Sequence, residues 1–161
     1  MVETPASREA AGRGLDVRVV ATAPPSSAEE SASLQGLDIA HLLRTIVVRR
    51  AEDDYVFVLV PGGRQIDWKR LRSHLSVRRL SLPDAEEARR VTGYERGAIT
   101  PFASVRAWPV VADRSIEGSG IVAIGAGARG VNMHVDADAL LVALGAVSAD
   151  VVGPVEDDGR A

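Results

Sequence analysis

The apolar run at residues 55–60 (YVFVLV) is the feature of this 161-residue chain that most constrains its fold. An apolar run of this length is typical of a strand that is buried in a sheet. Residues 45–49 are predicted to form the strand before it, and the polar turn residues Glu52, Asp53 and Asp54 separate the two. Two strands joined by so short a turn predict a β-hairpin.

The remaining segments contain both strands and helices. Further strands are predicted at residues 15–21, 77–80, 110–112, 121–124, 131–135 and 147–152. Helices are predicted at residues 26–35, 37–43, 67–74, 83–91 and 136–145. Asp67 and Asp136 are predicted to cap their helices, and Ser26 with Glu29 forms a predicted capping box.

Several of these strands follow one another without long helices between them, which excludes a doubly wound parallel sheet. We predict a single α+β domain in which helices flank a mixed, twisted central β-sheet. The length fits one domain, and we place it at residues 15–152, between a flexible N-terminal segment at 1–14 and an acidic tail at 153–161. Hydrophobic residues make up 46% of the chain and charged residues 25%, which excludes wholesale disorder.

The chain has no cysteine, which excludes a disulfide framework, a thiolate metal site and a cysteine nucleophile. Its longest apolar runs fall far short of the roughly 20 residues that a membrane helix needs. No basic start followed by an apolar run marks a secretory signal. We therefore expect a cytoplasmic protein that has no membrane partner.

The charge is distributed unevenly along the chain, although the formal net charge is only −3. Residues 44–79 contain nine Arg and Lys residues and four Asp and Glu residues, and so carry a formal charge of +5. Such a basic stretch is typical of a solvated surface, and it also suits contact with a partner that carries phosphates. Both interpretations stay open.

The segment 125–130 (GAGARG) matches the G-x-G-x-x-G pattern and follows a predicted strand. A dinucleotide site requires a helix to begin at the third glycine, but residues 131–135 alternate as a strand does. The segment is therefore either a tight hairpin or a turn whose amides line a ligand site. For Arg129 we expect a structural pairing with a carboxylate such as Asp113, and contact with a ligand phosphate is the alternative.

A second loop combines Gly97 with Pro101. Glycine permits close approach of the backbone to a ligand, and proline restricts the far end of the loop. The three histidines, His41, His74 and His134, show no metal-ligand spacing, and no nucleophile elbow occurs. Ordinary turns use the same residues, so the loop is either a plain turn or part of a ligand site, and the sequence predicts no metal site.

Together these segments resemble the YbaK/prolyl-tRNA synthetase-associated domain family, a group of aminoacyl-tRNA deacylases and editing domains. The segment 67–71 (DWKRL) resembles the start of the family's D-x-K-K-L helix. The segments 92–94 (TGY) and 97–102 (GAITPF) resemble its T-G-Y…G-x-x-x-P-F signature, and 126–130 (AGARG) follows in the expected order. The resemblance extends over residues 15–152.

The resemblance implies hydrolysis of the ester that joins a wrong amino acid to its tRNA, including tRNA for proline, by a freestanding enzyme acting in trans. The implied partners are the aminoacyl end of tRNA and an aminoacyl-tRNA synthetase, without a cofactor or a metal. An aminoacyl ester is already activated, so positioning and amides directed at the oxyanion can suffice. The resemblance assigns Arg44 and Gly97 to catalysis. It assigns to substrate binding Thr45, Ile99, Thr100, Pro101, Phe102, Gly125, Ala126, Gly127 and Asn132.

The sequence departs from the family at two of these positions. Arg44 stands where the family usually has lysine, and it keeps the positive charge but does not shuttle a proton. Gly125 stands where serine is common. Three functions stay open: a working deacylase, a binding module that keeps the pocket without turnover, and a structural partner of a synthetase.

Overall fold

The structure, a computed structural model, describes residues 3–155 of the chain. Its helices are α1 (Pro5–Gly12), α2 (Ala28–Gln35), α3 (Trp68–Leu75), α4 (Ala85–Thr92) and α5 (Ala137–Leu144). Its strands are β1 (Arg18–Ala21), β2 (Leu43–Ala51), β3 (Asp54–Pro61), β4 (Arg64–Ile66), β5 (Val110–Asp113), β6 (Ile121–Ala128), β7 (Val131–Asp136), β8 (Val147–Ala149) and β9 (Val152–Pro154). Short 3₁₀ helices lie at Ile39–His41 and Arg114–Ile116.

The main sheet has the strand order β2-β3-β5-β8 and is mixed. β2 and β3 form the predicted antiparallel hairpin, in which Thr45 lies opposite Leu59. β3 then pairs with β5, and β5 with β8, both in parallel. This arrangement confirms the predicted α+β class with a mixed central sheet.

Two smaller sheets complete the fold. β1, β7 and β6 pair antiparallel in that order, and β4 pairs antiparallel with β9. A single parallel bridge between Leu42 and Ala123 connects the start of β2 to β6. This bridge brings the β6–β7 hairpin beside the outer edge of the main sheet.

Both faces of β3 are buried, which explains its unbroken apolar sequence. Phe57 and Leu59 belong to the larger hydrophobic core, which helix α5 and strands β6 and β7 also line. Val56, Val58 and Val60 belong to a second core, on the side where helix α3 packs. The periodicity of the strand therefore divides its side chains between two layers.

The helix starts agree with the predicted caps at two places and differ at one. The carboxylates of Asp67 and Asp136 accept from the N–H groups of the third helical residue, as predicted. In α2 the cap is Ser27, not Ser26, since the Ser27 hydroxyl accepts from Glu30 N–H while Ser26 N–H donates to the Glu30 carboxylate. The N-cap therefore lies one residue later than predicted, and the predicted capping box is wrong, because the Glu30 carboxylate accepts from the residue before the cap and not from the cap itself.

Four predicted elements are wrong or shortened. The strand expected at 15–21 is shortened to β1, Arg18–Ala21. The helix expected at 37–43 is reduced to the 3₁₀ turn Ile39–His41, because β2 already begins at Leu43. The strand expected at 77–80 does not form, and only the next residue, Ser81, pairs with β2. The strand expected at 147–152 is divided between β8 and β9. One oxygen of Asp113 accepts from the N–H groups of Val151 and Val152, at 3.0 and 3.2 Å, and so turns the chain away from β5 towards β4.

Helix α1 lies within the N-terminal segment 1–14, and its Ala6 and Ala10 are fully buried in the larger core. The start of the domain at residue 15 stays a prediction. Most of the expected acidic tail, residues 156–161, lies outside the described residues. None of the helices within residues 3–155 is long and apolar enough to cross a membrane.

Candidate functional site

A cavity of about 590 Å³ opens beside the outer edge of β2. Its walls come from five segments: the start of α2, strand β2, the segment before α4, the loop after α4 and the tip of the β6–β7 hairpin. The bridge between Leu42 and Ala123 closes one end, and a pair of hydrogen bonds between Arg49 and Ser81 closes the other. Between these two points the edge of β2 faces the cavity without a neighbouring strand.

The backbone of β2 supplies hydrogen-bonding groups to this cavity. Arg49 N–H donates to Ser81 C=O at 2.8 Å, and Ser81 N–H donates to Arg49 C=O at 3.1 Å, so both groups of Arg49 point away from β3. The direction of the backbone groups alternates along a strand, so residues two and four positions from Arg49 share its direction. The N–H and C=O groups of Thr45 and Val47 therefore also point away from β3. Both residues line the cavity. Its wall therefore carries backbone donors and acceptors that no strand of the described chain uses.

The side chains of Arg44 and Thr45 lie on opposite faces of β2. Thr45 shares its face with Val47, in the larger core, whereas Arg44 shares its face with Val48, in the second core. The guanidinium of Arg44 donates to the carbonyl of Arg64 at 2.7 Å. The Thr45 hydroxyl is buried and has no hydrogen-bond partner within residues 3–155. Such an unpaired buried hydroxyl is costly, and a polar ligand group that reaches it lowers this cost.

The loop after α4 is fixed by the tyrosine of the T-G-Y motif. The Tyr94 hydroxyl donates to the carbonyl of Phe102 at 2.6 Å and so closes the loop. Burial, and next the nearby charge of Glu9, raise the pKa of Tyr94, so the hydroxyl stays protonated and able to donate. Gly97, within this loop, has a φ of +89°, a backbone conformation that favours glycine. The loop thereby presents Gly97 and Ile99 to the cavity.

The glycine-rich segment forms the tip of the β6–β7 hairpin. The pairing shifts register between Gly125 and Ala128, which is a β-bulge, and β7 begins directly after the turn. A strand therefore stands where a dinucleotide motif needs a helix, as predicted. A Cβ on Gly125 would lie 3.4 Å from the carbonyl oxygen of Ile99, so the small residue lets the loop approach the hairpin closely.

Three arginines line the cavity, and its lining within the described chain includes no Asp, Glu or His. Arg44 lies on β2, Arg96 precedes Gly97, and Arg129 lies at the hairpin turn. Arg96 donates to the carbonyl of Pro83 at 2.5 Å. The expected pairing of Arg129 with Asp113 is wrong, since Asp113 is bonded to Ser115 and to the backbone before β9. The cavity is therefore positively charged.

The structure brings six of the predicted site residues together and leaves five away from the cavity surface. The six that line it are Arg44, Thr45, Gly97, Ile99, Gly125 and Asn132. The other five, which are not among the lining residues, are Thr100, Pro101, Phe102, Ala126 and Gly127. Three of these residues are fully buried and so pack inside the protein, beneath the loop and the hairpin: Thr100, Phe102 and Ala126.

Several lining residues were not predicted from the sequence. Arg96 directly precedes the predicted Gly97 and adds a charge, and Ser26, Ser27 and Ser31 add hydroxyls at the start of α2. The three serines were difficult to identify as site residues from the sequence, because serines at a helix start are explained by capping alone. Pro83 completes the wall from the segment before α4.

The histidines lie outside the cavity lining. His134 is buried, and its Nε2 lies 3.0 Å from the side-chain oxygen of Gln35. Burial, and next the charge of Arg18, lower the pKa of His134. Within the part of the chain that the structure describes, no three His, Cys, Asp or Glu side chains are grouped as a metal ion would require.

Comparisons with known sequences agree with these features. A family model described as an aminoacyl-tRNA editing domain matches residues 22–142. A protein of Enterococcus faecalis, whose name describes a Cys-tRNA(Pro)/Cys-tRNA(Cys) deacylase, is 23% identical over 115 residues, 71% of this chain and 70% of that protein. The proline–tRNA ligase of Ligilactobacillus salivarius is 29% identical over 126 residues. That match covers 76% of this chain but only 22% of the ligase.

Solved structures show the same fold. Hypothetical protein APE2540 is 26% identical and superposes with a TM-score of 0.82, over 89% of this chain and 96% of that one. A protein described as a trans-editing enzyme for prolyl-tRNA synthetase is 22% identical with a TM-score of 0.81, over 94% of this chain and 99% of that one. The family model covers most of the chain, and the predicted resemblance to this family is thereby confirmed. The chain belongs to the aminoacyl-tRNA editing domain family.

Proposed function

We propose that this protein hydrolyses the ester bond of a mischarged aminoacyl-tRNA, acting in trans. The family membership and the deacylase name of the Enterococcus relative support this activity. The similarity to proline–tRNA ligases and to a trans-editing enzyme supports tRNA for proline as the substrate and a synthetase as a partner. Translation supplies such a substrate in the cytoplasm, where we therefore place the protein.

The observation that carries this proposal is the composition of the cavity. Free backbone groups of β2 line one wall, three arginines contribute positive charge, and no carboxylate lines the cavity within the described residues. The 3′ end of an aminoacyl-tRNA combines a small amino acid, an ester carbonyl and the phosphates of the RNA. Backbone groups suit the amino acid and the ester, and arginines suit the phosphates.

The reaction that fits this cavity is attack by water on the ester carbonyl. The water oxygen bonds to the carbonyl carbon, the bond from that carbon to the ribose oxygen breaks, and a proton from water is transferred to the ribose oxygen. The products are the free amino acid and the tRNA. A backbone N–H of Thr45 or Val47 is placed to donate to the oxygen that becomes negative, which lowers the barrier without a covalent intermediate.

The proton is expected to pass through the substrate or through water. The cavity lining within the described chain offers no Asp, Glu or His as a general base. The guanidinium of an arginine such as Arg44 can stabilise negative charge but is not suited to act as a general base. The hydroxyl beside the ester on the terminal ribose is close to the reacting atoms in any bound pose. It can therefore orient the water or relay its proton.

A deacylation panel tests the proposal. tRNAs charged with different radiolabelled amino acids, including tRNA for proline charged with cysteine, are incubated with the protein, and ester hydrolysis is followed over time. We expect at least one mischarged tRNA to be hydrolysed well above the spontaneous rate, with correctly charged tRNA left intact. Hydrolysis at the spontaneous rate across the whole panel contradicts the proposal.

A binding module without turnover is the second candidate, and one contact favours it. The Arg44 guanidinium is engaged by the Arg64 carbonyl and does not lie free in the cavity. If that contact persists with ligand bound, the cation does not reach the ester. A protein that binds aminoacyl-adenosine but leaves every ester in the panel intact matches this function.

A further inference from the structure

The arginine at the tip of the β6–β7 hairpin is held beside the predicted catalytic loop. A Cβ on Gly97 would lie 3.6 Å from Nε and 3.8 Å from Nη2 of Arg129. The guanidinium therefore lies against the backbone of Gly97, at the surface of the cavity. No side chain at position 97 separates the two.

The backbone that carries Arg129 is anchored on both sides. Thr22 N–H donates to the carbonyl of Gly130 at 2.7 Å, which ties the turn to the end of β1. On the other side of Arg129, the backbone of Gly127 packs against the ring of Tyr94. A guanidinium on such a turn loses less conformational freedom on binding than one on a mobile loop.

Arg129 has no protein group that explains its charge at this position. Some arginines of the described chain form ion pairs, such as Arg50 with Asp54 and Arg70 with Asp150, whereas Arg129 belongs to those that do not. Within residues 3–155, no carboxylate lies within ion-pair distance of Arg129, and its side chain makes no hydrogen bond. Its donors are therefore available to a ligand.

We propose that Arg129 forms a phosphate subsite at the mouth of the cavity, which binds the phosphodiester on the 5′ side of the terminal adenosine of the tRNA. The inference rests on the proposed function. It places the terminal phosphodiester of the tRNA at the mouth of the cavity, apart from the aminoacyl ester at the edge of β2. The planar guanidinium matches two phosphate oxygens at once. Arg96, which directly precedes Gly97 in the sequence, also lines the cavity and adds positive charge to it.

The position of Gly97 connects this subsite to the chemistry. A phosphate held by Arg129 lies next to the Gly97 backbone, and the amino acid of the same nucleotide then extends towards the edge of β2. Because the nucleotide is held at its 5′ phosphate, its ester is directed towards Thr45. Arg129 is thus a positioning residue, since it does not contact the reacting atoms.

Two small substrates separate this role from a general effect on the cavity. They are 3′-O-aminoacyl-adenosine with a free 5′ hydroxyl and the same compound with a 5′ phosphate. We expect Arg129→Ala to raise KM for the phosphorylated compound by about tenfold and to leave KM for the other unchanged. Arg129→Lys keeps the charge but not the planar guanidinium. Its KM for the phosphorylated compound should therefore lie between those of the wild type and Arg129→Ala. Arg114→Ala, the control, removes an exposed arginine outside the cavity and should change neither constant.

A binding measurement keeps the inference independent of turnover. AMP and adenosine are titrated into the wild-type protein and into Arg129→Ala, with circular dichroism as a check on folding. We expect AMP to bind more tightly than adenosine, and the difference to disappear in the variant. Equal binding of AMP and adenosine by the wild type overturns the subsite, and so does an equal effect of Arg129→Ala on both ligands. The deacylase proposal fails separately, if AMP binds through Arg129 and no aminoacyl-tRNA is hydrolysed.

Discussion

The ring of Tyr94 lies against the backbone of Gly127, so that a Cβ at position 127 would come within 2.8 Å of the ring carbon Cε1. The hydroxyl of the same ring donates to the carbonyl of Phe102. One side chain therefore holds together the loop after α4 and the β6–β7 hairpin, which are the two segments that meet around Gly97. The geometry of the cavity depends on this contact.

Substitution of Gly127 tests this contact through stability. Gly127→Ala combines a φ of +91° with a clash against the ring of Tyr94, and we expect it to cost about 2–4 kcal/mol of unfolding free energy. Gly118→Ala is the matched control, because Gly118 has a φ of +70° and no neighbour within 4 Å of its Cβ position. Its cost should be about 1–2 kcal/mol, from backbone strain alone. Equal losses in urea denaturation would show that the ring imposes no constraint.

Gly97→Ala should impair activity more than stability. The new methyl group would approach the Arg129 guanidinium at 3.6 Å and would be strained by the φ of +89°. We expect kcat/KM for a mischarged tRNA to fall by about tenfold or more, while thermal unfolding shifts no further than in Gly118→Ala. If activity falls only in proportion to the loss of folded protein, Gly97 is needed for the conformation of its turn and not for catalysis.

Substitution of Arg44 distinguishes a cation that acts on the substrate from one that only supports the fold. If the guanidinium exchanges the Arg64 carbonyl for the substrate, Arg44→Ala should lower deacylation by about tenfold to a hundredfold, because it removes a cation that stabilises the reacting ester. Arg44→Lys, which keeps the positive charge, should keep or raise the rate. The side chain is exposed, so both variants should fold. Wild-type rates in Arg44→Ala on a good substrate would remove this residue from the site.

The stability of the protein should depend on pH through His134. Its folded-state pKa lies below the ordinary value of 6.5, so the unfolded chain binds more protons as the pH falls below 6.5. Stability from this group is complete above pH 6.5 and decreases below it. We expect the unfolding temperature to fall less between pH 7 and pH 5 in His134→Gln than in the wild type. Parallel pH profiles would indicate that His134 titrates normally in the fold.

The elements that follow local rules were predictable from the sequence. The hairpin of β2 and β3 follows from an apolar run and a polar turn, and the helix that begins after Asp67 follows from its cap. The end of the main sheet did not follow from local rules. Residues 147–152 read as one strand, but the buried carboxylate of Asp113, distant in sequence, divides them between two sheets.

The site was predictable only in part, for the same reason. The motifs identified Gly97 and Gly125, since close backbone approach requires residues of this kind. Which groups face the cavity depends on the pairing of strands: the register of β2 against β3 leaves the amides of Thr45 and Val47 directed away from β3, as the hydrogen bonds of Arg49 with Ser81 show. The convergence of Arg96 and Arg129 depends on how the loop packs against the hairpin, and no local pattern encodes it.

The open edge of β2 also affects how the protein behaves at high concentration. An unpaired strand edge is a template to which another extended chain can add, and this is a common start of aggregation. Folded proteins usually cover such edges, but covering this one would fill the cavity. The bridges at Leu42 and Arg49 shorten the exposed stretch, and the arginines around it disfavour the approach of a second, equally charged copy. Solubility and ligand binding are therefore constrained by the same stretch of backbone.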